Sequence, residues 1–318
     1  NAVSYTDTNG FAIGTVGTLG AFTSVSGITN SNNDVTLNAG GAVTQTQAIS
    51  AGALELLGAG PYTLTEVTNN VATLAGNVTN AVQYTDANAL TVGQVNTTVG
   101  LTASDIVLAT GGIVTDNLTL AQSVSAGGGD VRLVTAGALT QTGTATITAD
   151  ELGVRAQAGV TLTNGNNANT IAIVNGTGNA VSYTDTNGFA IGTVGTLGAF
   201  TSVSGITNSN NDVTLNAGGA VTQTQAISAG ALELLGTGPF TLTLATNNVN
   251  TIAANTADVV SYRDADDLVV GTVNTVGITT SNDNVTLQTG TTLAINQAVA
   301  LGTGNLTLNA GGAVTQTA

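Results

Sequence analysis

Carboxylates are the only side chains in this chain able to exchange a proton near neutral pH. The sequence has no His, Cys or Lys, three arginines (Arg132, Arg155 and Arg263) and eighteen Asp and Glu, for a formal charge of −15. Nucleophile–base pairs that rely on His, Cys or Lys are excluded within it. The densest acidic set is Asp264, Asp266 and Asp267 in the phrase YRDADD. Paired carboxylates of this kind are what hydrolysis of a polysaccharide uses. The matching slots elsewhere are Asp7-Thr8-Asn9, Asp86-Ala87-Asn88 and Asp185-Thr186-Asn187, so only the leading acid recurs. The expected reading is a turn that drifted acidic in one copy, and no catalysis.

Two further chemistries need weighing. Gly127-Gly128-Gly129-Asp130 partly matches the glycine and aspartate nonapeptide of calcium-binding β-rolls, but one partial copy cannot complete an oxygen shell. Asp130, Asp264, Asp266 and Asp267 are therefore weak calcium candidates, with the recurring acids Asp7, Asp86 and Asp185 beside them, and no cofactor is expected. Tyr5, Tyr84, Tyr183 and Tyr262 recur at intervals of 79, 99 and 79 residues, and Tyr62 in one copy becomes Phe240 in the next. Spaced aromatics either stack on sugars or fill the end of a coil. Ranks such as Thr44-Gln45-Thr46 and Thr63-Leu64-Thr65 would suit an ice-facing surface, and they equally keep a long β-surface soluble without charge.

The elements that carry these residues are repeats. Residues 1–58 recur unchanged at 179–236, an offset of 178. This divides the chain into a first long repeat, 1–178, made of two unequal halves, and a second, incomplete one, 179–318, as one continuous array. Self-similarity at fixed period signals stacked structural units. Charged residues are 7% of the chain and aromatics 3%, while the hydrophobic share is 42%. That composition argues against disorder and calls for narrow layers of Val, Leu, Ile and Ala. Three scattered arginines cannot supply the counterion release of nucleic-acid binding. The acids read as a solubilising surface. No apolar run of 18 residues is present, so membrane insertion is not expected.

A finer period lies inside. Triplets such as Val35-Thr36-Leu37, Leu54-Glu55-Leu56, Val131-Arg132-Leu133 and Val285-Thr286-Leu287 start 19 to 21 residues from a neighbour. Alternation places their outer apolar side chains on one face and the central Thr, Glu or Arg on the other. Between them lie Gly and Asn clusters, among them Asn38-Ala39-Gly40-Gly41, which suit corners. Short strands with such corners, and no helical period, predict an all-β parallel β-helix of about 20 residues per coil. About 16 coils would make a rod of roughly 75 Å. The phase of Thr44-Gln45-Thr46-Gln47 stays open: either the glutamines stack internally or a bend resets the alternation. Asn1 begins on a repeat phrase and residues 315–318 end inside one, so neither terminus reads as a cap.

The phrases DVTLNAGGAVTQT (34–46 and 212–224), NLTLNAGGAVTQT (305–317) and AVQYTDANALTVGQV (81–95) resemble the central repeats of filamentous-haemagglutinin-type proteins. The resemblance covers nearly the whole chain. It implies a right-handed β-helix, export through an outer-membrane partner by two-partner secretion, and a place at or beyond the surface of a Gram-negative bacterium as adhesin or filament. The amino-terminal secretion domain of such proteins has no counterpart in this sequence. On this reading the function is a structural stem or filament segment, whose partners are further repeats end to end. The alternative is a module that binds glycans or proteins of another cell through its flank.

Overall fold

The computed structural model describes residues 1–176 and 178–317; Ala318, at the end of the last repeat phrase, lies outside the described residues. Among them there is no helix. The fold is a parallel β-solenoid whose stacked strands lie about 21 residues apart, with about 14 coils. It groups into two compact units, Asn1–Glu151 with Thr196–Thr201, and Leu152–Gly195 with the residues from Ser202 onward.

In the first unit, three strand rows repeat from coil to coil. Val3, Val35, Leu54 and Leu74 are successive partners in one row. Phe11, Val43, Tyr62, Val82, Ile106 and Val131 are successive partners in the second, and Ile28 pairs Ile49 in the third. The second unit repeats the scheme, with Val160, Val181, Val213, Leu232 and Ile252 in one row and Val221, Phe240, Val260, Val285 and Leu306 in another. The predicted triplets are these strands. Their alternating apolar positions point inward, and Val35, Leu54, Leu74, Val213 and Leu232 are fully buried. Each such side chain contributes about 1.5–3 kcal/mol relative to exposure. Parallel pairing hands every coil's amide groups to its neighbour.

Glycine is required where two coils turn together. A Cβ at Gly40 would lie 2.0 Å from the Thr8 carbonyl oxygen, and one at Gly218 would lie 2.1 Å from that of Thr186. At the glutamines the alternation runs on to Gln45, which stands in register with the buried Ile13 and pairs inside, and the chain bends after it at Thr46-Gln47. Gln45 and the buried Asn69 exchange two amide hydrogen bonds of 2.9 Å, while Asn69 also accepts from the Ile49 amide and donates to the carbonyls of Leu64 and Thr85. Gln223 and Asn247 repeat the pair in the second unit.

The expected coil of about 20 residues is the common step, strands stacking about 21 residues apart, but several steps are longer. Val3 to Val35 and Val181 to Val213 are 32-residue steps, and Val82 to Ile106 and Val260 to Val285 are steps of 24 and 25. The extra residues form hairpins that leave the coil, which lowers the number of coils below 16. Three are antiparallel pairs: Thr15–Val16 with Val25–Ser26, Gln94–Val95 with Thr98–Val99, and Thr193–Val194 with Val203–Ser204. A fourth, shorter turn closes through Thr272 and Val276.

The duplicated sequence serves as its own control on burial. Tyr183, Val194 and Val203 are 0–3% exposed, whereas their identical counterparts Tyr5, Val16 and Val25 are 47–63% exposed. In the later copy the strand Val160–Asn175 pairs against Val181, Ala190 and Ile206 and covers that side. Burial here is set by the neighbouring coil, not by the residue.

Candidate functional site

The acids first sort into corners and latches. Six of the eighteen are buried, Glu55, Asp86, Asp116, Asp185, Glu233 and Asp264, so a purely solubilising role for the acids is corrected. The recurring Tyr-x-Asp is a corner staple. Tyr84 donates its hydroxyl to Asp86 at 2.8 Å, and Asp86 also accepts the amides of Val71 and Asn88. Tyr183 with Asp185 and Tyr262 with Asp264 repeat this at 2.6 and 2.8 Å, capping the amides of Ala168 and Val249. Burial pushes the Asp86 and Asp264 carboxyls above the usual carboxylate range, against the opposing pull of those hydrogen bonds. It raises the hydroxyls of Tyr84, Tyr183 and Tyr262 far more, with the adjacent carboxylates adding to the effect.

Tyr84, Tyr183 and Tyr262 are therefore coil fillers, 0–1% exposed, and present no ring face to a sugar. Only Tyr5 is open; it donates to Asp7 at 3.0 Å and meets Phe11 edge-on. Tyr62 and Phe240 are both fully buried, and the Tyr62 hydroxyl donates to the carbonyls of Leu37 and Leu57.

Of the calcium candidates, Asp130, Asp264 and Asp267 have their carboxylates engaged by other partners. Asp130 pairs with Arg132 at 3.1 Å, and Glu151 takes the same guanidinium at 2.7 Å. Asp264 serves Tyr262 and two backbone amides. Asp266 gives its amide to Asp264. Asp267 accepts from the hydroxyls of Thr291 and Thr292 and from the Thr292 amide, which brings it down to about 2. No group of three or more Asp, Glu, His or Cys that could hold a metal ion occurs among the described residues.

What the sequence reading missed is the hairpin latch. In the first unit, Thr91 and Val92 pair with Thr73 and Leu74, and Leu101 and Thr102 pair with Gly76 and Asn77. The hairpin between them leaves the sheet opposite Ala75 and folds back over earlier coils. It lands on Glu55, whose side chain is only 4% exposed although its strand position points outward. The Glu55 carboxylate accepts from Thr98 at 2.6 Å, Asn96 at 2.8 Å and Thr36 at 2.7 Å. In the second unit the turn opposite Ala253 lands on Glu233. That carboxylate accepts from the Thr275 hydroxyl and amide at 2.6 and 2.7 Å, Asn274 at 3.0 Å and Thr214 at 2.9 Å. Burial raises both glutamates, but the hydroxyl and amide donors outweigh it and leave each below its ordinary value.

Each hairpin leaves through a glycine neck. Gly27, Gly100, Gly205 and Gly277 donate to Gly14, Gly93, Gly192 and Gly271 at 2.8–3.0 Å. The closing glycine of each pair has φ between +67° and +74°. The coil lies close beneath it: a Cβ there would stand 2.1–2.3 Å from the carbonyl oxygen of Ala48, Ser123, Ala226 or Ala298. Beneath the hairpins lie small residues: Ala75, Ala172 and Ala253 are fully buried despite facing outward. The tip residues 196–201 belong to the first unit, where Phe200 stacks on the Arg132 guanidinium, 5.6 Å from its ring centre. A glycine at both ends of a β-rich insert was the available signal.

Comparison with protein-family models, with curated proteins and with solved structures finds no match to this chain.

Proposed function

We propose that this chain is a load-bearing segment of an extracellular bacterial rod, the stem or filament portion of a surface adhesin of a Gram-negative bacterium, and that it catalyses nothing. The observation that carries the reading is the use made of its chemistry. Buried tyrosines, acids and amides are consumed in holding one coil to the next, and no buried side-chain polar atom lacks a partner among the described residues. A chain that stacks near-identical coils by parallel pairing gains length with every repeat. Its partners on this reading are neighbouring repeats end to end, with an outer-membrane secretion partner during export.

Electron microscopy of this chain and of one carrying an additional 178-residue repeat tests the proposal. The particle is expected to lengthen by roughly 40 Å at constant width, from about eight coils at one strand spacing each. A particle that grows in width instead sinks the rod reading. Adhesion through the flank is the second reading. The hairpins favour it, since they are the parts of the coil that depart from the core and differ in length. Binding to a panel of glycans by the folded chain, abolished when the hairpins are shortened to a Gly-Gly link, would support it over a plain stem.

A further inference from the structure

We propose that the hairpin of residues 93–100 and the turn of residues 271–277 are acid-released flaps, each locked to the solenoid flank by one buried glutamate. The lock is concentrated on a single group. Glu55 collects two donors from the flap and one from the coil beneath it, and Glu233 collects three from the flap and one from the coil. No cation contributes to either lock. The strand Ile28–Ala39 brings only Asp34, the strands Ile49–Gly58 and Asn70–Val78 bring no titratable residue besides Glu55, and the hairpin itself brings none. Around Glu233, the strand Ile206–Ala217 brings only Asp212, the strands Ile227–Gly236 and Asn248–Thr256 add none besides Glu233, and Leu268–Val270 and the turn add none.

A carboxylate is an acceptor only; a carboxylic acid carries a proton that must itself find an acceptor. Protonation therefore removes the charge that the donors converge on and adds a donor that only the threonine hydroxyls can accept by turning their own protons away, which weakens the flap while leaving the apolar core intact. The closed flap is favoured above the ordinary glutamate range and lost as the pH falls through the folded-state value. Opening uncovers the uncharged strip at Ala75 or Ala253, both fully buried when the flap is shut.

The test is hydrogen exchange by mass spectrometry on the full chain from pH 7 to pH 3, corrected for intrinsic rates, with far-UV circular dichroism alongside. In the unaltered chain, amides of 93–100 and 271–277 are expected to lose protection as the pH falls below the ordinary glutamate value of about 4.3, while the strands Val131–Thr135 and Val285–Thr289 keep theirs. At pH 7, Glu55→Gln is expected to speed exchange in 93–100 by at least about tenfold, the loss of one hydrogen bond to a charged group, and to leave 271–277 unchanged. Glu233→Gln is expected to do the reverse. If the substitutions prevent folding, the acid series on the unaltered chain decides alone. Flaps that keep their protection to pH 3, or that lose it only together with the core strands, overturn the proposal.

Discussion

The glycine necks allow backbone conformation and close approach to be separated in one experiment. Gly100 and Gly127 lie in the same unit and both have positive φ, +74° and +61°. A Cβ at Gly127 would meet nothing within 4 Å, whereas one at Gly100 would stand 2.3 Å from the Ser123 carbonyl oxygen. Gly127→Ala should therefore cost only the left-handed conformation, about 1–2 kcal/mol, less about 0.4–1 kcal/mol returned by the stiffer unfolded chain. The net loss is about 0–1.6 kcal/mol. Gly100→Ala must in addition push two coils apart. That strains the Gly100–Gly93, Gly76–Gly100 and Leu101–Ser123 backbone bonds, now 2.8–2.9 Å, at about 1 kcal/mol each. A total of roughly 3–4 kcal/mol follows. Urea unfolding followed by circular dichroism reads both, and with slopes of about 1–3 kcal/mol per molar the Gly100 variant should unfold at a midpoint lower by 1 M or more. Equal midpoints for the two variants would refute the reasoning, because they would mean that the neck has room to move.

The remaining predictions concern the corners. Tyr62→Phe should lose about 1 kcal/mol, since two carbonyls lose their shared donor, while Phe240→Tyr should be neutral or better; a calorimetric scan of each variant checks both. Asp185→Asn should cost more than Tyr183→Phe, about 2–4 against 1–2 kcal/mol, because either way the amide turns its nitrogen meets a backbone donor, the Asn187 amide or the Ala168 amide; the reverse order of midpoints would count against the staple. Spectrophotometric titration at alkaline pH should show only Tyr5 ionising in the folded chain, somewhat above 10 because Asp7 holds its proton. Burial pushes Tyr62 up to about 12. A tyrosine raised on folding stabilises below its unfolded value near 10 and stops doing so as the pH rises through the folded one, so the buried tyrosines should appear together with unfolding. Five tyrosines titrating as one near pH 10 in a protein that keeps its circular dichroism would contradict their burial.

Strands were legible in the sequence wherever period two was uninterrupted. Val35-Thr36-Leu37, Val131-Arg132-Leu133 and Leu306-Thr307-Leu308 carry their direction in their spacing, since a one-residue slip would turn every leucine to the outside. The corners were legible as glycine and asparagine. Three things were not. The hairpins share the Gly, Thr and Val vocabulary of the coils, so composition hides them and only the glycine at each end distinguishes them. The covering of Glu55 and Arg132, 4% and 2% exposed, depends on a segment folding back from a later coil, which no local window contains. The Tyr-x-Asp pairs read equally as ligand sites or fillers, because residue type fixes the chemistry available and not the partner.

The division of labour between core and flank follows from these residues. The inward rows are mostly aliphatic, and exchange among aliphatics costs little there: Val82, Ile106 and Val131 are successive partners in one row. The flank is less tolerant. A covered outward slot must be small under the hairpin and matched in polarity at its landing point, which is why Ala75 and Ala253 recur with Glu55 and Glu233. Where the landing residue is Arg132, the tip answers with the Phe200 ring, and Asp130 and Glu151 neutralise the guanidinium. Tip and landing residue are thus chosen as a pair. Exchanging one alone, as in Arg132→Glu, would place a carboxylate under an aromatic face beside two acids, and should cost more than removing the tip altogether.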